Sequence, residues 1–172
     1  MQLAQSFEAK VVGLTSSESK KEFITSYGAE AYTHDELRQS GEKNFDFILN
    51  SAGGKSAKEH FKLLSKSGKL VCIGIGQAIV DGKSNLLDKV KVLTQTPWFP
   101  LIKLMLESRS AGGFNALSYF DDHEWMKKHL DKIEKTNFKP HIGGVFKAQD
   151  VASAHKYLES KQARGKVLLE WV

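Results

Sequence analysis

The residues best placed to do chemistry in this chain are hydroxyls and a lysine rather than an acid–base set. Thr15-Ser16-Ser17 follows the apolar run Lys10-Val11-Val12-Gly13-Leu14, and Lys20 comes one helical turn later. Donating hydroxyls beside the point charge of a lysine suit a phosphate ester. Glu18, in the same stretch, opposes an anion. A competing reading has Ser16 or Ser17 only capping the helix that follows, a role serine fills well.

The glycine-lysine sites carry less. Gly53-Gly54-Lys55-Ser56 lacks the earlier glycine of a triphosphate-binding loop, since Leu49 stands at that position. Gly82-Lys83-Ser84 fails in the same way at Gln77. Gly74-Ile75-Gly76 follows an apolar run, but Ile79 replaces the third glycine of a dinucleotide loop. The six histidines show no metal-ligand spacing, no Gly-x-Ser-x-Gly elbow exists, and Asp121-Asp122 reads as a helix cap. No catalytic residue is assigned and no metal site is expected.

Short, continuously apolar runs alternate with helix-like segments. Strands are expected at 10–14, 45–50, 69–73 and 166–170, with a short one at 31–33 and short extended pieces at 110–119 and 145–146. Helices are expected at 18–27, 35–40, 55–66, 84–93, 99–108 and 149–161. A further long helix after Asp122 should turn Trp125, Met126, His129, Leu130 and Ile133 inward. Strands apolar on both faces with helices between them call for a parallel α/β sheet, doubly wound. Such sheets bind ligands at the carboxyl ends of their strands, which singles out loops 15–20, 50–54, 74–77 and 111–116. Where such a sheet binds a dinucleotide, the end of its second strand reads the ribose. Small hydroxyl or basic residues there accept a 2′-phosphate, which is what Ser16, Ser17 and Lys20 offer.

The bulk properties fit one soluble domain of 172 residues, with 41% hydrophobic and 26% charged residues. The net charge of +5 is spread over helix faces and does not argue for nucleic acid. One cysteine, Cys72, excludes a disulfide within the chain and points to a cytoplasmic setting. No segment reads as a signal peptide, and no apolar stretch approaches the ~20 residues of a membrane span.

Together these landmarks resemble the medium-chain dehydrogenase/reductase superfamily, in its zinc-independent quinone-oxidoreductase branch. The carrying residues are Gln2-Leu3-Ala4-Gln5, Ala9 to Ser17, Gly28-Ala29, Phe45-Asp46, Gly53-Gly54, Gly68 to Gly74, Gly113-Phe114-Asn115, Phe138 to Ile142 and Gly165 to Leu169. The resemblance implies a Rossmann-like sheet that lacks its first strand and Gly-rich loop, with the chain starting inside the first helix. The strands at 10–14 and 45–50 would then flank an empty lane. It also implies NADP(H) as cofactor, a small-molecule substrate such as a quinone or α,β-unsaturated carbonyl, and a homodimer joined near 110–116.

By the same resemblance, Ser17 and Lys20 hold the 2′-phosphate and Ser51 lies along the adenosine and ribose. Ile73, Gly74, Ile75 and Gly76 line the nicotinamide, Phe114, Asn115 and Ala116 approach its carboxamide, and Ala163 with Gly165-Lys166 closes over the cofactor. Asp35 departs from the pattern, because NADPH-using relatives often carry tyrosine there. The readings kept beside this one are a non-catalytic interaction domain of the same fold and, more distantly, a methyltransferase.

Overall fold

A computed structural model describes residues 1–74, 90, 94–136, 138–160 and 162–171. In chain order the elements are α1 (Gln2–Gln5), β1 (Val12–Thr15), α2 (Lys21–Thr25), β2 (Glu30–Thr33), α3 (His34–Ser40), β3 (Phe45–Asn50), α4 (Gly54–Lys62), β4 (Leu64–Cys72), α5 (Leu101–Glu107), β5 (Ser110–Gly113), α6 (His123–Glu134), β6 (Ile142–Lys147), α7 (Val151–Glu159) and β7 (Lys166–Glu170). Short 3-10 turns occupy Glu18–Lys20, Ala116–Tyr119 and Ala148–Asp150. The chain groups into two compact units, residues 1–41 with 127–172, and residues 42–126.

Every described strand pair is parallel, so the α/β class read from the sequence holds. The four strands expected to share one sheet instead lie in three: β1-β2, β3-β4-β5 and β6-β7. Alternation of strand and helix fixes parallel pairing, because the crossover needs a helix, but it does not fix how many strands join. No described strand pairs with the second edge of β1 or of β3.

In the first unit, Gly13 lets α2 lie directly on β1, since a Cβ there would meet Ile24 Cγ2 at 2.7 Å. Ile24, Ala29, Leu37 and Ala154 are its buried apolar residues. The expected helix 18–27 divides into the 3-10 turn and α2, and Gly28 at φ 73° ends it. Phe23 and Tyr27 meet edge to face at 5.3 Å, the spacing of neighbours one turn apart. Thr33 and Glu36 close a reciprocal capping box on α3, which explains why so short a helix forms.

In the second unit, α4 packs on the sheet through Ala57 and Phe61 against Leu64 and Leu70, with Ile48, Phe99, Leu104 and Ala111 around them. The helix expected at 55–66 ends early: α4 stops at Lys62 and β4 starts at Leu64. Phe61 and Leu64 fit a helical face by spacing. The chain instead lets the Leu63 carbonyl accept the amide of Phe45 at 3.0 Å and buries Leu64 completely. A register shift between Phe45 and Phe47 absorbs the extra residues of β4, aided by Ser67 at φ 64°.

Two further expectations need correction or fall outside these residues. No residue of α6 is buried, and Leu130 and Ile133 are 51% and 37% exposed, so they do not face a core. Helical periodicity identifies an apolar face without supplying anything to cover it. The expected helix 84–93 lies almost wholly outside the described residues. No described helix is long and apolar enough to cross a membrane.

Candidate functional site

In the first unit the loop after β1 is built on Thr15, which is buried. Its Oγ1 accepts from the Ser17 amide at 3.1 Å and donates to the Ser17 carbonyl at 3.2 Å. Ser17 precedes the 3-10 turn but makes no capping bond to it; its hydroxyl instead lies 2.7 Å from that of Ser19. The capping explanation therefore fails for Ser17. Ser16 is exposed and Lys20 half-buried beside them.

Glu22 apart, the nearby acids are drawn elsewhere. Glu18 pairs with Lys21 at 2.9 Å, and Lys21 also holds Glu36 at 2.5 Å. The Lys21 ammonium, then the Thr33 amide, lowers the Glu36 carboxyl below the usual glutamate range. Asp35 pairs with Arg38 one helical turn on. Glu18 and Asp35, the two carboxylates that argue against an anion at this loop, thus have cationic partners.

The turn at 163–166 belongs to the same unit. Gly165 adopts φ 80°, and the Lys166 amide donates to the His141 carbonyl at 2.7 Å. From this turn Arg164 Nη2 donates to the Ser19 carbonyl at 3.1 Å. Ser17, Lys20 and the turn carrying Ala163, Gly165 and Lys166 are therefore connected through one contact. Sequence reading passes over Arg164, since its neighbour at Ser19 lies 145 residues away.

In the second unit the parallel register aligns Asn50 with Cys72 and Cys72 with Gly113. Ser51, Ile73 and Phe114 thus leave the three carboxyl strand ends side by side. Ile73 donates its amide to the Asn50 carbonyl at 2.8 Å, and Phe114 donates to that of Cys72 at 2.9 Å. A Cβ at Gly74 would meet the Ser51 carbonyl at 2.9 Å, so only glycine lets these backbones approach so closely. Asn115 Oδ1 accepts from the Leu117 amide at 3.1 Å and starts the turn that holds Ala116. Phe114, Tyr119 and Trp125 form a near-parallel stack, with Tyr119 and Trp125 at 4.2 Å. Ile75 and Gly76 lie outside the described residues.

Asn50, which is 1% exposed, anchors this end of the sheet and is not singled out by the sequence. Its Oδ1 accepts from the Gly53 amide at 2.7 Å, which fixes the orientation of the side-chain amide. Nδ2 then donates to Ser56 Oγ and to His60 Nδ1, each at 2.9 Å. An asparagine closing an apolar strand is the signal that could have found it. Burial pushes the Cys72 thiol up from its ordinary range. Among the described residues no three His, Cys, Asp or Glu side chains gather as metal ligands.

Parallel strands with crossing helices, and polar and glycine residues gathered at the carboxyl ends, define a Rossmann-like α/β protein. Residues 21–169 match the family described as zinc-binding dehydrogenase, and the chain belongs to that family, within the medium-chain dehydrogenase/reductase superfamily. It is 28% identical to the human synaptic vesicle membrane protein VAT-1 homolog, covering 98% of this chain and 46% of that protein. With the rat quinone oxidoreductase it shares 25% identity, over 98% of this chain and 49% of the relative. The quinone oxidoreductase of Thermus thermophilus, solved also as its complex with NADPH, superposes with a TM-score of 0.75 at 22% identity, covering 98% of this chain and 52% of that one. The chain spans about half the length of these relatives. The zinc in the family description finds no matching donor set among the described residues.

Proposed function

We propose that this chain is the cofactor-binding portion of a zinc-independent NADPH-dependent oxidoreductase that reduces a quinone or an α,β-unsaturated carbonyl. The observation that carries this is the loop after β1. Its Ser17 and Ser19 hydroxyls face each other at 2.7 Å with Lys20 beside them, while Glu18 is held by Lys21. That donor set suits the dianionic 2′-phosphate, which distinguishes NADPH from NADH. The name of the rat relative and the NADPH complex of the Thermus enzyme support the same reading.

When bound, the cofactor supplies the hydride. The protein's part is to bind and orient it. Ser16, Ser17 and Lys20 would take the 2′-phosphate and Ser51 the ribose. Ile73 and Gly74, with Ile75 and Gly76, would border the nicotinamide. Phe114, Asn115 and Ala116 would offer main-chain groups to the carboxamide. Ala163, Gly165 and Lys166 would close over the bound molecule.

Among the described strands, β5 pairs only with β4, and its other edge supports a homodimer formed strand to strand. The lone cysteine supports a reducing compartment such as the cytoplasm.

The test is a titration of the protein with NADPH and with NADH. One lysine with hydroxyl donors is expected to favour NADPH by ~1–3 kcal/mol, about fivefold to 150-fold. Lys20→Ala should weaken NADPH and spare NADH. Equal affinities, or tighter NADH binding, would refute the assignment.

A further inference from the structure

We propose that Arg164 is a second cation of the site after β1, and that together with Lys20 it sets the preference for a nucleotide bearing a 2′-phosphate. This rests on the NADPH reading above and adds to it a residue from the opposite end of the chain.

Arg164 Nη2 donates to the Ser19 carbonyl at 3.1 Å. The contact brings the guanidinium to the loop whose Ser17 and Ser19 hydroxyls face each other. One N–H is spent on Ser19, and the planar fork has several more to offer an anion. Among the described residues no carboxylate pairs with Arg164. Of the acids near the loop, Glu18 and Glu36 pair with Lys21 and Asp35 with Arg38, and Glu22 forms no ion pair with Arg164. The loop therefore keeps a cation whose charge none of these acids cancels.

The backbone that carries Arg164 is held in place. Gly165 stands at φ 80°, and a Cβ on it would run into the His141 carbonyl. A Cβ on Gly143 would run into the carbonyl of Arg164 itself. The Lys166 amide closes the turn on His141 at 2.7 Å. Glycines at 143 and 165 let the turn seat tightly, and the arginine leaves it from a fixed point. A guanidinium fork matches the oxygens of a phosphate monoester, whereas an ammonium acts as a point charge. Arg164 and Lys20 thus do different work on the same group, the first orienting it and the second neutralising it.

The experiment compares 2′,5′-ADP with 5′-AMP, which share an adenosine and a 5′-phosphate and differ in the 2′-phosphate. The chain, Arg164→Leu, Arg164→Lys and Lys20→Ala are titrated with each by NMR. Arg164→Leu should weaken 2′,5′-ADP roughly tenfold and change 5′-AMP by less than about twofold, and Arg164→Lys should recover part of the loss. An equal loss for both nucleotides would mean that Arg164 only braces the loop, and would overturn the proposal. A preference for 2′,5′-ADP that Lys20→Ala abolishes but Arg164→Leu leaves intact would overturn it too, with the NADPH reading standing. No preference in the unaltered chain, or no binding of either nucleotide at millimolar concentration, would overturn both.

Discussion

Asn50 and Gly53 are joined across the end of β3: the Gly53 amide donates to Asn50 Oδ1 at 2.7 Å, so the side chain of the last strand residue holds the start of α4. Asn50 Nδ2 donates to Ser56 and His60, leaving this buried asparagine with no idle polar atom in its side chain. Asn50→Leu keeps the branching of the side chain and removes every one of these bonds. It strands the Gly53 amide, and a buried unsatisfied group costs ~1–3 kcal/mol. Urea denaturation should show a loss of that size. An unchanged midpoint would mean that the loop is held by other contacts.

The capping box of α3 gives a pH-dependent prediction. Thr33→Ala should cost ~1 kcal/mol at neutral pH, read from the urea midpoint. Glu36 is held below the ordinary glutamate range by Lys21 and then by the Thr33 amide. Its folded value lies below its unfolded one, so its stabilisation is present above the unfolded glutamate range and is lost as the pH falls through the folded value. Lys21→Met should therefore flatten the acid side of the stability profile. A variant whose profile between pH 7 and pH 3 parallels the parent would show that the pair does nothing.

Two glycines with similar φ should respond differently to alanine. Gly41 at φ 70° has nothing within 4 Å of a built Cβ, so Gly41→Ala should cost only the left-handed strain of ~1–2 kcal/mol. Gly165 at φ 80° would in addition drive its Cβ into the His141 carbonyl. Gly165→Ala should be clearly the more destabilising, measured by thermal unfolding of both. Equal losses would show that the turn can open without cost.

The Cys72 thiol should resist alkylation. Burial raises it from its ordinary range, so less thiolate is present near neutral pH than in the unfolded chain. Iodoacetamide labelling followed by mass spectrometry should run several-fold slower in buffer than in denaturing urea. Equal rates would place the sulfur in free contact with solvent.

The strands at 45–50 and 166–170 were legible because short runs of apolar or β-branched residues between turn signals admit little else. Parallel pairing followed from the helices between them. The loops to inspect were legible as well, since ligand loops sit at the carboxyl ends of parallel strands. Periodicity misplaced the end of α4, where Leu64 fits a helical face and a buried strand position equally, and the bond between Phe45 and Leu63 decided it. It gave α6 an inward face on which Leu130 and Ile133 stay exposed, because amphipathicity records a preference and not a neighbour. Composition named the hydroxyls and the lysine after β1. Only the tertiary structure drew Glu36 to Lys21, buried Asn50 as the anchor of its loop, and carried Arg164 across 145 residues to Ser19. Local order is written in neighbouring residues, whereas a charge pair or a contact between distant segments exists only once the chain has folded back on itself.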